Sequence, residues 1–367
     1  MKHMKLVVGA AFMGCLLVRA LAAGEEGKIT LKIGDPAPKL QAGKWVRGDP
    51  VRAFDKDKVY VVEFWATWCG PCRASIPHLN EIHNKFKDKG LVVIGLDCWE
   101  RDESRVAPFI KDMGDKMTYR VALDDKTSET NGAMAKTWMA AAGQNGIPTA
   151  FIVDKTAHLA WIGHPSGLNN TLIEQVLAGQ FDVKRAAAEF DKAKADEAAA
   201  EKAWTQLSQA MKAKSWDQAE AALKELIKAT KDSEDLDSFR LAICVGKGEL
   251  DTGAALAERI CDKVLQDAAL QQNNTVWPLL SHPKCEGKAL ETAARIAERA
   301  CAAAGGTNAY ILDTLAFARF REGKKSEAIA LQKKAVALAS ADRKEQFQKN
   351  LASYEAGKLP KVEEEPD

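Results

Sequence analysis

Through the first half of the chain, apolar residues gather in short, nearly continuous runs. "VYVVEFW" (Val59–Trp65), "LVVIGLD" (Leu91–Asp97), "TAFIVD" (residues 149–154) and "LAWIG" (Leu159–Gly163) are rich in valine, isoleucine and aromatic residues. Runs of this length predict strands buried on both faces. Residues 71–87, 104–113, 132–142 and 168–178 lie between or after them and carry helical patterning. The alternation predicts an α/β domain over residues 34–184 with a central mixed sheet whose first two strands are parallel. "DKTAH", between the third and fourth runs, predicts a hairpin-like turn, so the late strands should be antiparallel.

After Val183 the pattern changes. Alanine and charged residues dominate, strand signals vanish, and residues 185–203 read as a continuous helical linker. Residues 204–358 then repeat. "WDQAEAALKELIKA", "DTGAALAERICDKV", "LETAARIAERACAA" and "SEAIALQKKAVALA" can be stacked on anchor positions Ala219, Gly253, Ala293 and Ala328, spaced by 34, 40 and 35 residues. A small residue at a fixed point lets paired helices approach closely, and periods near 34 predict an all-α stack resembling tetratricopeptide repeats. The last unit, residues 310–339, resembles that pattern best. The tail, residues 359–367, is expected to be disordered.

Composition sharpens this picture in two places. The 367 residues are 46% hydrophobic and 28% charged with a formal charge of +1, which argues against a nucleic-acid electrostatic footprint. Residues 1–23 follow the charged, apolar, small-residue order of an export signal, so the mature chain is expected in the periplasm or outside the cell. Lipid anchoring through Cys15 is the alternative, although "FMGC" lacks the usual leucine. Cleavage would remove Lys2, Lys5 and Arg19 and bring the charge from +1 to −2. It would also leave seven cysteines, an odd number that cannot all pair within one chain. Cys285 and Cys301 bracket one helix, about 24 Å apart, and cannot bond. Cys244 with Cys285 and Cys261 with Cys301 are the pairings left open.

Candidate chemistry centres on "VYVVEFWATWCGPCRASIP". A zinc site needs four ligands, and one Cys-x-x-Cys supplies two. A permanent structural disulfide across two residues closes a loop too small to stabilise much. A redox couple fits better, because strand, Trp-Cys-Gly-Pro-Cys and helix place Cys69 at a helix N-terminus. There, free amides and the helix dipole favour thiolate, and Pro71 is tolerated in the first turn. Cys69 is expected to be the exposed attacking sulfur and Cys72 the resolving one. Glu63 is a carboxylate inside an apolar run, which is costly unless it is paired or protonated, or reaches solvent from an edge strand.

These residues, with Phe64, Trp65, Trp68 and Pro77, resemble the active-site segment of the thioredoxin superfamily, in particular its exported TlpA/ResA-type thiol-disulfide oxidoreductases. "GIPTAFIVD" (residues 146–154) is similar to the family's loop and strand with a cis-proline. The resemblance implies a cis Ile147–Pro148 peptide and a substrate-binding rim of Trp68, Gly70, Pro71, Ile147, Pro148 and Thr149, although Pro148 also reads as an ordinary loop proline. It implies that Glu63 lies beneath the disulfide as proton acceptor with a raised pKa. Some members carry a helix glutamate three residues after the second cysteine; Ser75 stands there, so that version does not transfer. Cys98 follows the second strand and is either a third redox thiol or a partly buried free cysteine.

The activity so implied is reduction of protein disulfides, with Gly-Pro between the cysteines resembling reducing members. Electrons would come from a membrane thiol donor, with no metal, organic cofactor or nucleic acid involved. Two alternatives stand. One is a redox-active scaffold whose helical repeats recruit a partner protein. The other is thiol-peroxidase-like chemistry, suggested by "TYRVALDD" (residues 118–125).

Overall fold

A computed structural model describes residues 29–127, 129–230, 234–263 and 268–362. The expected export signal with Cys15, and residues 363–367 of the expected disordered tail, lie outside the described residues. The chain divides into two compact units, residues 29–195 and 196–362 as described.

The first unit is built on a six-stranded sheet of order β1-β4-β3-β2-β5-β6. Its strands are β1 (Ala42–Arg47), β2 (Val59–Trp65), β3 (Leu91–Asp97), β4 (Arg120–Asp124), β5 (Thr149–Val153) and β6 (Leu159–Gly163). β2 pairs with β3, and β3 with β4, in parallel. β5 runs antiparallel to both β2 and β6, and β1 is antiparallel to β4. Every residue of β2 and β3 is buried, which explains why both read as continuous apolar runs.

The strand period of two sorts their side chains into two cores. Val59, Val61 and Trp65 face helix α1 (Gly70–Phe86), which contributes Cys72, Ile76, Leu79, Ile82 and Phe86. Helices α2 (Val106–Met113) and α3 (Asn170–Leu177) complete that layer. Tyr60, Val62 and Phe64 face the other way, against Leu31, Ile33, Met134 and Trp138. Each large aliphatic side chain so removed from water contributes about 1.5–3 kcal/mol.

β1 and β4 were not among the expected strands. β1 is half-exposed and carries two register shifts, which blur its alternation, and β4 is only five residues long. The helix expected over 132–142 is instead a π-helical turn at Ala135–Ala140. The Asp124 carboxylate accepts the Met134 and Ala135 amides, both at 2.8 Å, and so sets the entry to this segment. Gly132, at φ +98°, lies so close to that carboxylate that a Cβ would clash at 2.1 Å.

Residues 185–203 fall within one 30-residue helix, α4 (Val183–Lys212). Ala186 and Phe190 line the second sheet core, whereas Ala200, Ala203, Leu207 and Ala210 belong to a helical core. The second unit continues with α5 (Trp216–Thr230), α6 (Asp237–Lys247), α7 (Leu250–Lys263), α8 (Ala269–Ser281), α9 (Gly287–Ala303), α10 (Ala309–Arg321), α11 (Lys325–Leu338) and α12 (Ala341–Glu355). Anchors Ala219, Gly253, Ala293 and Ala328 fall on α5, α7, α9 and α11, one on every second helix, and all are buried. At Gly253 a Cβ would press on Leu279 at 3.3 Å, the close approach that the small residue permits. The pairings Cys244–Cys285 and Cys261–Cys301 do not form. All four cysteines are free, as is Cys98; Cys261, Cys285 and Cys301 sit in apolar packing instead.

Candidate active site

Cys69 is the N-cap of α1. Its backbone is extended (φ −80°, ψ 106°), and its sulfur accepts the Cys72 amide at 3.2 Å. A helix N-terminus directs unsatisfied amides at whatever caps it, so this sulfur sits where negative charge is stabilised. Cys69 and Cys72 are joined in a disulfide with their Cα atoms 5.3 Å apart. In that state Cys69 is 4% exposed and Cys72 fully buried, so the expectation of an exposed Cys69 is corrected. The Cys72 amide and the Ile147 carbonyl, 3.7 Å away, enclose the bonded sulfur. What the surface presents is Trp68, 48% exposed, with Gly70 and Pro71.

The Ile147–Pro148 peptide is cis, and it leads into β5. Thr149 donates its hydroxyl to the Gly146 carbonyl at 2.8 Å and pairs with Phe64 in the sheet. The sheet thus brings Ile147, adjoining β5, to the cysteine at the head of α1, although 78 residues separate them.

Glu63 lies in the middle of β2, opposite Gly95 of β3 and Ala150 of β5. These small neighbours leave room for a carboxyl on the face that α1 covers. Glu63 is 0% exposed, and neither carboxyl oxygen has a hydrogen-bond partner. Burial pushes its pKa up to about 8, opposed by the nearby Ser75 hydroxyl. That hydroxyl donates to the Cys72 carbonyl at 2.9 Å, so Ser75 ties the helix at Cys72 rather than supplying an acid.

In the β3–α2 loop the sequence pattern brings Cys98 and Trp99 towards Cys69, at the carboxyl end of the second strand, but singles out neither Glu100 nor Arg101. Glu100 accepts the Thr67 amide at 2.8 Å, and the Trp99 carbonyl accepts the Trp68 indole N–H at 3.1 Å. The Arg101 guanidinium lies over the Trp68 ring, 5.8 Å from its centre. Trp99 adopts φ +55°, costly for a bulky residue, which turns the loop back onto the motif. Asp97 is buried with Oδ2 unpartnered; burial, then the Glu100 carboxylate, push its pKa up to about 8. Cys98 is fully buried in the core on the opposite sheet face from Cys72, and burial pushes its thiol pKa well up. Among the described residues no cluster of metal-ligating side chains occurs, and no helix is long and apolar enough to cross a membrane.

This arrangement can pass two electrons through a sulfur pair beside a buried acid. Residues 33–162 match the AhpC/TSA family. The chain is 32% identical over 141 residues to Protein FixW of Rhizobium leguminosarum, covering 36% of this chain and 61% of that protein. It is 32% identical over 151 residues to thiol-disulfide oxidoreductase ResA of Bacillus cereus, covering 41% of this chain and 78% of that one. The chain belongs to the ResA thiol-disulfide oxidoreductase family. Among solved structures, the thioredoxin domain of a thiol-disulfide oxidoreductase from Bacteroides vulgatus is 28% identical, with a TM-score of 0.33 over 40% of this chain and 99% of that one. The AhpC/TSA match ends at residue 162, ahead of the helical unit.

Proposed function

We propose that this protein is an exported enzyme that reduces protein disulfides, with Cys69 as nucleophile, Cys72 as resolving thiol and Glu63 as proton acceptor. The observation that carries the reading is the pair at the head of α1, with the Cys72 amide on the Cys69 sulfur and an unpartnered carboxyl on the face below. In the first step the Cys69 thiolate attacks one sulfur of the substrate disulfide. That bond breaks, the other substrate sulfur leaves as a thiolate, and Cys69 is left in a mixed disulfide. Cys72 then gives its proton to the Glu63 carboxylate, and its thiolate attacks the Cys69 sulfur. The mixed bond breaks, the second substrate thiolate departs, and the Cys69–Cys72 disulfide forms. Two electrons have passed to the substrate, and a thiol donor on the membrane would restore the pair. A carboxyl near pKa 8 is matched to a thiol, which makes the proton transfer nearly balanced.

Trp68, Gly70 and Pro71 supply the exposed rim, and the backbone about Ile147, Pro148 and Thr149 would hold the substrate chain as an added strand. The helical unit is read as the part that recruits a partner, a reading supported by the exposed apolar side chains Leu270, Tyr310 and Leu338. Cys72→Ser in the full chain tests the enzyme reading. Reduced and mixed with oxidised insulin, it should accumulate an adduct through Cys69 that dithiothreitol releases. Insulin reduction by the native protein with no adduct on Cys69 would overturn this mechanism.

A further inference from the structure

The acids of the β3–α2 loop are each engaged. Glu100 accepts the Thr67 amide and, at 3.1 Å, the Arg101 amide. Asp102 accepts the amide and hydroxyl of Ser104. Glu103 pairs with Lys126 at 3.0 Å. Two guanidiniums next to the cysteines are not so engaged. Arg101 lies over the exposed Trp68 ring, one residue before Cys69, and Arg73, one residue after Cys72, lies over the Phe109 ring at 5.7 Å. Among the described residues neither has a carboxylate partner, and both are exposed. The buried acids Glu63 and Asp97 favour their neutral forms at pH 7.

A guanidinium held over an aromatic ring, with no carboxylate partner, keeps donors free, and the guanidinium edge matches a carboxylate with two parallel hydrogen bonds. The placement is built rather than incidental. Glu100 fixes the Arg101 amide, the Trp99 carbonyl holds the Trp68 indole, and the left-handed backbone at Trp99 joins the two. We propose that Arg101, held over Trp68 beside Cys69, is a specificity-determining residue that selects disulfide substrates carrying a carboxylate next to the reacting sulfur, acidic peptides in chemical class. This rests on the reductase reading above.

The test uses the full chain and two disulfide-closed peptides that are identical except for aspartate or lysine beside each cysteine, with kcat/KM measured for both. The native protein should favour the acidic peptide by about fivefold at low salt, the scale of one solvent-exposed ion pair. Raising the salt to about 1 M should erase most of that preference, since the screening length then falls to about 3 Å. Arg101→Gln should bring the ratio close to one, and Arg101→Glu should reverse it. Because the readout is a ratio, a loss of turnover common to both peptides cancels. An unchanged ratio in Arg101→Glu, or no preference in the native protein, would overturn the proposal. The neutral bis(2-hydroxyethyl) disulfide separates the two readings. Its reduction by the native protein without an acidic preference sinks only this inference, whereas no reduction of any disulfide sinks the enzyme reading.

Discussion

Glu63 in the first unit and Asp237 in the second are both buried carboxylates, 0% and 2% exposed. Asp237 has both oxygens taken: Arg259 donates to them at 2.9 and 2.6 Å, and Arg240 adds a bond at 2.7 Å. Glu63 has no hydrogen-bonding partner for either oxygen. A fold that only needed stability would place an apolar residue at Glu63, since an unpaired buried carboxyl costs free energy. The cysteines divide the same way. Cys69 and Cys72 are bonded at a helix N-terminus, whereas Cys261 and Cys285 are free and sunk in apolar packing that pushes their thiol pKa values up. Asp237, fully answered, ties helices together; in the mechanism proposed above, Glu63 is left unanswered for chemistry.

Stability against pH gives the largest effect that sharpens this contrast. Glu63 keeps its proton in the fold up to about pH 8 but loses it near 4.5 when unfolded. Its contribution is therefore complete below pH 4.5 and is lost as pH rises to 8. That loss is on the order of 5 kcal/mol, at about 1.36 kcal/mol per pKa unit. Denaturant titrations across pH 4–9 should show this decline in the native protein and a smaller one in Glu63→Gln, where Asp97, also pushed up to about 8 by burial, still contributes. Equal slopes would mean that Glu63 is not held neutral.

Asp237→Ala should cost about 3 kcal/mol by removing the buried carboxylate that accepts from Arg240 and Arg259. Disulfide reduction per folded molecule should stay unchanged; a parallel fall in turnover would break the division between structural and chemical carboxylates. A smaller effect is expected at Glu100, where alanine strands the Thr67 amide at about 1–2 kcal/mol and glutamine, still an acceptor, recovers most of it. The smallest is at Cys98. Iodoacetamide should leave it unmodified in the native fold and label it after denaturation, and native labelling would contradict its burial.

Much of the first unit was legible because its centre is buried on both faces. β2 and β3 expose no polar edge, so their runs are unbroken apart from Glu63 and the terminal Asp97, and Glu63 was conspicuous for that reason. The edge strand β1, half-wet and irregular in register, leaves no such trace. The second unit was legible as stacked helices through its small anchors, but pairing its cysteines needed distances that helical spacing alone does not supply. Glu100, Arg101 and the backbone turn at Trp99 were unreadable for another reason. Nothing in "CWER" announces a left-handed tryptophan, and their role arises only when parallel pairing sets the end of β3 beside the end of β2.

In the proposed mechanism Glu63 is left unpaired in order to take the proton of Cys72. Rapid-mixing measurement of the resolving step against pH, in the native protein and in Glu63→Gln, tests it most directly. The rate in the native protein should rise through an inflection near pH 8, the value to which burial brings Glu63. Glu63→Gln should lack that inflection and run about a hundredfold slower, the lower range for a lost general base. The same inflection and a similar rate in both proteins would contradict the account.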